Sequence, residues 1–174
     1  MTSAAEIYPF MSSKRRSFET GHRPKFMVVV DETPECTRAL LFAGRRALHT
    51  GGAVVLLYVI VPSDFTQWVG VENIMRAEAT EQAEAALGKA ADFVRDKTMI
   101  EAQVVIREGQ RAEELVKLIE DDEDIAVLVL AASADKEGPG PLVTALASKA
   151  AGTFPVPITI VPGHLDEETI AAIA

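Results

Sequence analysis

A carboxylate, a hydroxyl and a thiol stand close together where an apolar run ends: Asp31, Thr33 and Cys36 follow FMVVV. A second group follows the apolar run IAVLVLA, with Ser133, Lys136, Gly138, Gly140 and Thr144 in SADKEGPGPLVT. A polar loop after a strand tip, opening into a helix, is how α/β folds hold a phosphate, since loop N–H groups and the helix start both favour an anion. Gly138 and Gly140 can expose such N–H groups or merely shape a turn, while Pro139 and Pro141 remove two donors. Thr144 can assist a phosphate or satisfy its own backbone. Lys136 is the loop's one cation. Asp31 can accept from an adenine amine or a ribose hydroxyl, or simply sit beside a helix N-terminus that stabilises negative charge. Cys36, near that helix start, is thiolate-prone by position and a small buried hydrophobe by its place on an apolar stripe.

Other chemistries find no support. His22, His49 and His164 fall in an arm, a helix end and a late loop, without metal-ligand spacing. Cys36 is the single cysteine, which excludes a disulfide framework and a cysteine metal cluster. There is no nucleophile elbow, no Gly-Lys-Ser phosphate loop and no Gly-x-Gly-x-x-Gly after a strand. The acid runs Glu120 to Asp124 and Asp166 to Glu168 read as solvated faces. The net charge of −9 is uneven: residues 1–25 carry five basic against two acidic side chains, +3, leaving −12 for the rest. A domain that acidic is a poor partner for nucleic acid. No apolar run approaches bilayer length, and no signal-peptide core precedes the first strand, so a cytoplasmic protein with no membrane contact is expected.

These residues must be positioned by the elements between them. Residues 1–25 lack a helical or strand period and contain Pro9, Gly21 and Pro24. They read as a flexible basic arm whose charges dock on the acidic domain, meet a partner, or merely solvate. From residue 26 to 174 short apolar strands alternate with helices: FMVVV, AVVLLYVI, AQVVIRE, IAVLVLA and VPITIV are the strands. The first helix is expected from a Thr33 cap and Pro34, and the long second helix from Val71 to Lys97. That second helix turns Met75, Ala79, Ala83, Ala86, Ala90 and Phe93 or Val94 inward, with Phe65 and Trp68 pinning the loop before it. Helices are also expected over Gln110 to Asp121, Pro141 to Ala151 and, capped by Asp166, the final turns. This alternation predicts right-handed crossovers and a doubly wound α/β domain with a five-stranded parallel sheet covered on both faces. Ligands in such sheets sit beyond the carboxyl ends of the strands, where strand order reverses.

Across Phe26 to Pro162 the chain resembles the universal stress proteins, through VVVDETPECTRALLFA, LLYVI, VVIREGQRAEELVKLIEDDEDIAVLVLAA and PVPITIVP. The resemblance implies a Rossmann-like sheet of order 3-2-1-4-5, of the kind shared with adenine nucleotide alpha hydrolases. It also implies homodimers paired through the fifth strand, here Val156 to Val161, and roles in stress tolerance without a common reaction. Some members bind ATP through a Gly-x2-Gly-x9-Gly-Ser/Thr loop after the fourth strand. Asp31 matches the family's acidic residue beside the adenine, Thr33 its small hydroxyl, and Val59 its adenine neighbour on the second strand. The glycine positions fall on Ala131, Ala134 and Thr144, and the Ser/Thr on Ala145, so none matches. The resemblance therefore implies a member without the ATP loop: a non-catalytic homodimeric stress-response module acting by binding and association. The binding residues expected are Asp31, Thr33 and Val59 by resemblance and Gly138 and Gly140 from the loop itself, with no catalytic residue and no metal. An adenine-nucleotide sensor (AMP or ATP) with a rebuilt loop and a weak ATP-hydrolysing enzyme are the alternatives, and a protein partner stays open.

Overall fold

The computed structural model describes residues 14–62 and 69–174. The strands are β1 (Lys25–Val29), β2 (Ala53–Ile60), β3 (Gln103–Glu108), β4 (Ile125–Ala132) and β5 (Ile158–Pro162). The helices are α1 (Cys36–Thr50), α2 (Val69–Thr98), α3 (Arg111–Asp121), α4 (Pro141–Ala145), which runs on into a π-helical turn over Leu146–Ala150, and α5 (Glu167–Ile173). All four strand pairings are parallel, as the alternation predicted, and the order is β3-β2-β1-β4-β5, as the resemblance implied.

The continuous apolar runs are explained by burial on both faces. Along β1, Phe26 and Val28 enter one core, beneath α1, α2 and α5, with Val54, Leu56, Leu40 and Val94. Met27 leaves by the other face, into a core with Val55, Leu57, Leu115, Ile119 and Leu128 under α3 and α4. Each such side chain contributes about 1.5–3 kcal/mol when fully buried.

Several boundaries differ from expectation. Thr33 does not cap α1; it lies in the turn before it, and the helix begins at Cys36 without a side-chain cap. On α2 the buried stripe is Ala83, Leu87, Ala90 and Val94, so Leu87 anchors a helix that the alanines alone would hold weakly. Met75 and Ala79 stay outside the core, and Val71 and Ile74 are exposed. β5 begins at Ile158 rather than Val156, because Val156 is drawn into the second core and Pro157 offers only its carbonyl, to Leu128 N–H at 3.0 Å. Asp166 caps α5 as expected, accepting from Thr169 N–H at 2.8 Å. Phe65 and Trp68 lie outside the described residues, as do residues 1–13.

The expected arm is corrected over residues 14–25. Arg15 donates to the carbonyls of Ile119 (2.6 Å) and Asp122 (2.9 Å), which end α3 without intrahelical partners. Arg16 pairs with Glu123, His22 Nδ1 lies 2.7 Å from Asp124 Oδ1, and Lys25 Nζ lies 2.7 Å from Asp122 Oδ2. The Ser17 hydroxyl donates to Asp124 O at 2.9 Å. Residues 122–124 of the acidic run are thus the seat of the basic segment, not a plain solvated face. Opposite charge and the carbonyls at the end of α3 hold it there, that of Asp122 accepting also from Ile125 N–H at 3.2 Å.

Candidate functional site

Beyond the carboxyl ends of β1 and β4 lies a cleft of about 400 Å³. The sheet order reverses there: β2 and β3 extend from one side of β1, β4 and β5 from the other. Asp31 reaches it from the end of β1, Ala131 from β4, Tyr58 from β2, Gly140 from the loop before α4, and Arg111 from the start of α3.

Asp31 is held in a local turn. Its Oδ1 accepts from Thr33 N–H at 3.0 Å and from the Thr33 hydroxyl, the pattern by which aspartate fixes a turn two residues on. Both bonds use one oxygen, so Oδ2 remains an acceptor. Thr33 also lines the cleft. Cys36 lies against it, with Sγ 3.9 Å from Val29 O. Burial, with Asp31 and Glu35 nearby, pushes its thiol up to about 11. Of the two sequence readings, the small buried hydrophobe is the one the surroundings favour.

Val59 is displaced from its expected role. Neighbouring strand residues leave by opposite faces; Val59 is 4% exposed and enters the core under α3. Tyr58 is the β2 residue at the cleft. Burial raises its phenol pKa, the Glu32 charge adds to this, and Arg111 acts against it.

The β4–α4 loop folds on itself. Ser133 N–H donates to Pro139 O at 3.2 Å, Asp135 N–H to Ser133 Oγ at 3.1 Å, and Gly138 N–H to Asp135 O at 3.1 Å. The Thr144 hydroxyl donates to Gly140 O at 2.8 Å, so it satisfies its own backbone. Gly138 and Gly140 have φ of 101° and 106°, a region that favours glycine. Gly140 lines the cleft; Gly138 and Lys136 do not. The loop's glycines are therefore explained by its turn, and three of its N–H groups already have acceptors.

Arg111 is the residue that sequence reasoning missed. It is the one Lys or Arg among the residues lining the cleft. The signal was available: it is the second residue after Gly109, a turn at the same sheet edge. Gly109 has a φ of 149°, and its N–H donates to Ile60 O at 2.9 Å, which ties the turn to β2. A second groove of about 520 Å³ runs between α1 and α2 and shares Asp31, Glu32, Thr33 and Cys36 with the cleft. The histidines are elsewhere: His22 on Asp124, and His49 Nδ1 2.7 Å from Ala174 O. No cluster of metal-ligating side chains occurs among the described residues, nor is any helix among them long and apolar enough to cross a membrane.

A sequence model described as the universal stress protein family matches residues 22–162. The chain belongs to that family. The match takes in all five strands, α1 to α4 and the cleft. Among solved structures, the universal stress protein UspA from Lactobacillus plantarum aligns with a TM-score of 0.65 and 16% identity, over 79% of this chain and 97% of that one. A universal stress protein solved in complex with cAMP has a TM-score of 0.57 and 16% identity, over 80% of this chain and 97% of that one. The universal stress protein from Archaeoglobus fulgidus solved with dAMP has a TM-score of 0.53 and 17% identity, over 79% of this chain and 97% of that one. These likenesses speak to the fold. Comparison with curated protein sequences returns no match.

Proposed function

We propose that this universal stress protein acts by binding and association rather than by turnover, and that its cleft takes a mononucleotide of the adenosine class. The observation that carries this reading is the position of the cleft, at the switch point where doubly wound sheets hold their ligands. Its volume of about 400 Å³ falls in the range of small-molecule sites. Asp31 supplies an acceptor for a ribose hydroxyl or an exocyclic amine, and Tyr58 supplies an aromatic ring with a polar end. The cAMP and dAMP complexes of two structural relatives support the same ligand class.

The chemistry of the lining favours a binder. Cys36 keeps its proton at neutral pH, and the Thr33 hydroxyl donates to Asp31. Neither is an activated nucleophile. ATP fits less well than AMP, because Ala131, Ala134 and Thr144 stand where the resembling ATP binders carry glycine. The loop's remaining donors are few. An ATP Kd weaker than roughly 0.1 mM follows.

Native mass spectrometry and calorimetry on the full chain test this. A retained nucleotide, or AMP and adenosine binding with ATP weaker, supports the reading. No binding of adenosine or AMP up to millimolar concentration overturns the ligand class, and steady hydrolysis of added ATP overturns the binding-only role.

A further inference from the structure

We infer that Arg111 is the anion anchor of the cleft and makes it selective for a nucleoside carrying a single phosphate; this rests on the adenosine-class reading above. The cleft is lined by three carboxylates, Asp31, Glu32 and Glu35, and by one cation, Arg111. No carboxylate among the described residues lies within ion-pair distance of its guanidinium. Arg16, Arg76, Arg95 and Arg107 each have an acidic partner; Arg38, Arg45 and Arg46 form no ion pair among the described residues either, but Arg111 alone of these lines the cleft. A guanidinium that faces an acidic cleft unpaired keeps its donor fork available to a ligand.

Arg111 is also held at its root. Gly109 presses against Glu114, whose Cγ would lie 2.9 Å from a Cβ at that position. Glu114 N–H donates to Gln110 O at 2.9 Å and starts the helix. Arg111 is the first residue of the eleven-residue α3, so its backbone is fixed by that turn. The opposite wall supplies no second cation: Ser133, Asp135 and Gly138 spend their N–H groups within the β4–α4 loop, proline at 139 and 141 has none, and the residues that line the cleft there, Pro139 to Val143, are uncharged.

Charge then decides how many phosphates the site accepts. One guanidinium grips one phosphate through two parallel N–H···O bonds. A single phosphate carries about −1.5 to −2 charges at pH 7. Further phosphates would add charge beside Asp31, Glu32 and Glu35 without a second cation to meet them. The cleft thus rewards the first phosphate and penalises the next.

Calorimetry with adenosine and AMP at low salt tests the assignment through the ratio of their affinities. The wild-type chain should prefer AMP by about tenfold, the size of a charge-assisted contact at an exposed position. Arg111→Ala should bring that ratio to about one, with Arg111→Lys between. Raising salt to about 0.5 M should shrink the wild-type ratio by screening, and this arm decides the matter if the alanine variant folds poorly. Equal binding of AMP and adenosine by the wild-type chain, or a ratio that survives Arg111→Ala, overturns the anchor while leaving the adenosine reading intact. Failure of adenosine itself to bind overturns both.

Discussion

Gly109 lies so close over Glu114 that a Cβ on the glycine would stand 2.9 Å from both Glu114 Cγ and Oε1. Glu114 is only 8% exposed, and its Oε1 accepts from Lys117 Nζ at 2.6 Å, so it has little room to retreat. With φ at 149° as well, Gly109→Ala should cost about 1–3 kcal/mol in urea denaturation. Gly88 gives the contrast. It sits inside α2 with open space where a Cβ would go, and Gly88→Ala should stabilise by about 0.5–1 kcal/mol. Equal effects of the two changes would mean that the β3–α3 turn is not strained.

Arg15 ties the basic segment to the end of α3 through carbonyls that have no helical partner. Arg15→Ala should lower stability by about 1–3 kcal/mol, since the Ile119 and Asp122 carbonyls lose a charged donor. Amide hydrogen exchange should speed up over residues 14–25 and at the α3–β4 junction while the central strands hold. Unchanged exchange there would make the segment a passive tail.

The alternation of strands and helices was legible because β1, β2 and β4 are continuous apolar runs buried on both faces, whereas the strand order came from the family resemblance and not from the pattern. The cleft's location was legible for the same reason: Asp31 and the β4–α4 loop had to meet at the switch point. What failed were choices that depend on side-chain direction and on charge across space. Val59 and Tyr58 are adjacent, and only the pleat decides which one meets the cleft. Arg111 follows a turn far in sequence from Asp31, so its place in the site is a product of the crossovers. Residues 14–25 have no period of their own. Their order comes from Asp122, Glu123 and Asp124, about a hundred residues away, and a local pattern cannot announce that.

Cys36 has a thiol held near 11 by burial, against an ordinary value of 9.0. A raised folded value means that the contribution to stability is complete below pH 9 and lost as pH rises through about 11. The unfolded chain gives up the proton first. Urea melts should show a loss of about 2–3 kcal/mol over that window that is absent from Cys36→Ala. Iodoacetamide at pH 8.5 should label the native protein at least about tenfold more slowly than the urea-unfolded chain. Comparable labelling rates would place the thiol in solvent and restore it as a candidate nucleophile.

Ile160 is the middle residue of β5 and is 40% exposed, while Val161 beside it is buried against α1. β5 pairs with β4 along one edge only. An apolar strand with a free edge invites another chain, and we propose that a second copy of this chain pairs with it there. A two-fold axis would pair β5 with its own copy in antiparallel fashion, so that Ile160 falls near the axis and meets its equivalent. Pro157 and Pro162 bracket the strand and limit how far the ladder extends. Ile160→Lys would then set two like charges directly opposite one another, which is destabilising in a strand pair. It should shift the protein to monomer in sedimentation at low micromolar concentration, whereas Ile160→Val should leave the dimer in place. A folded Ile160→Lys protein that still sediments as a dimer would move the interface away from β5.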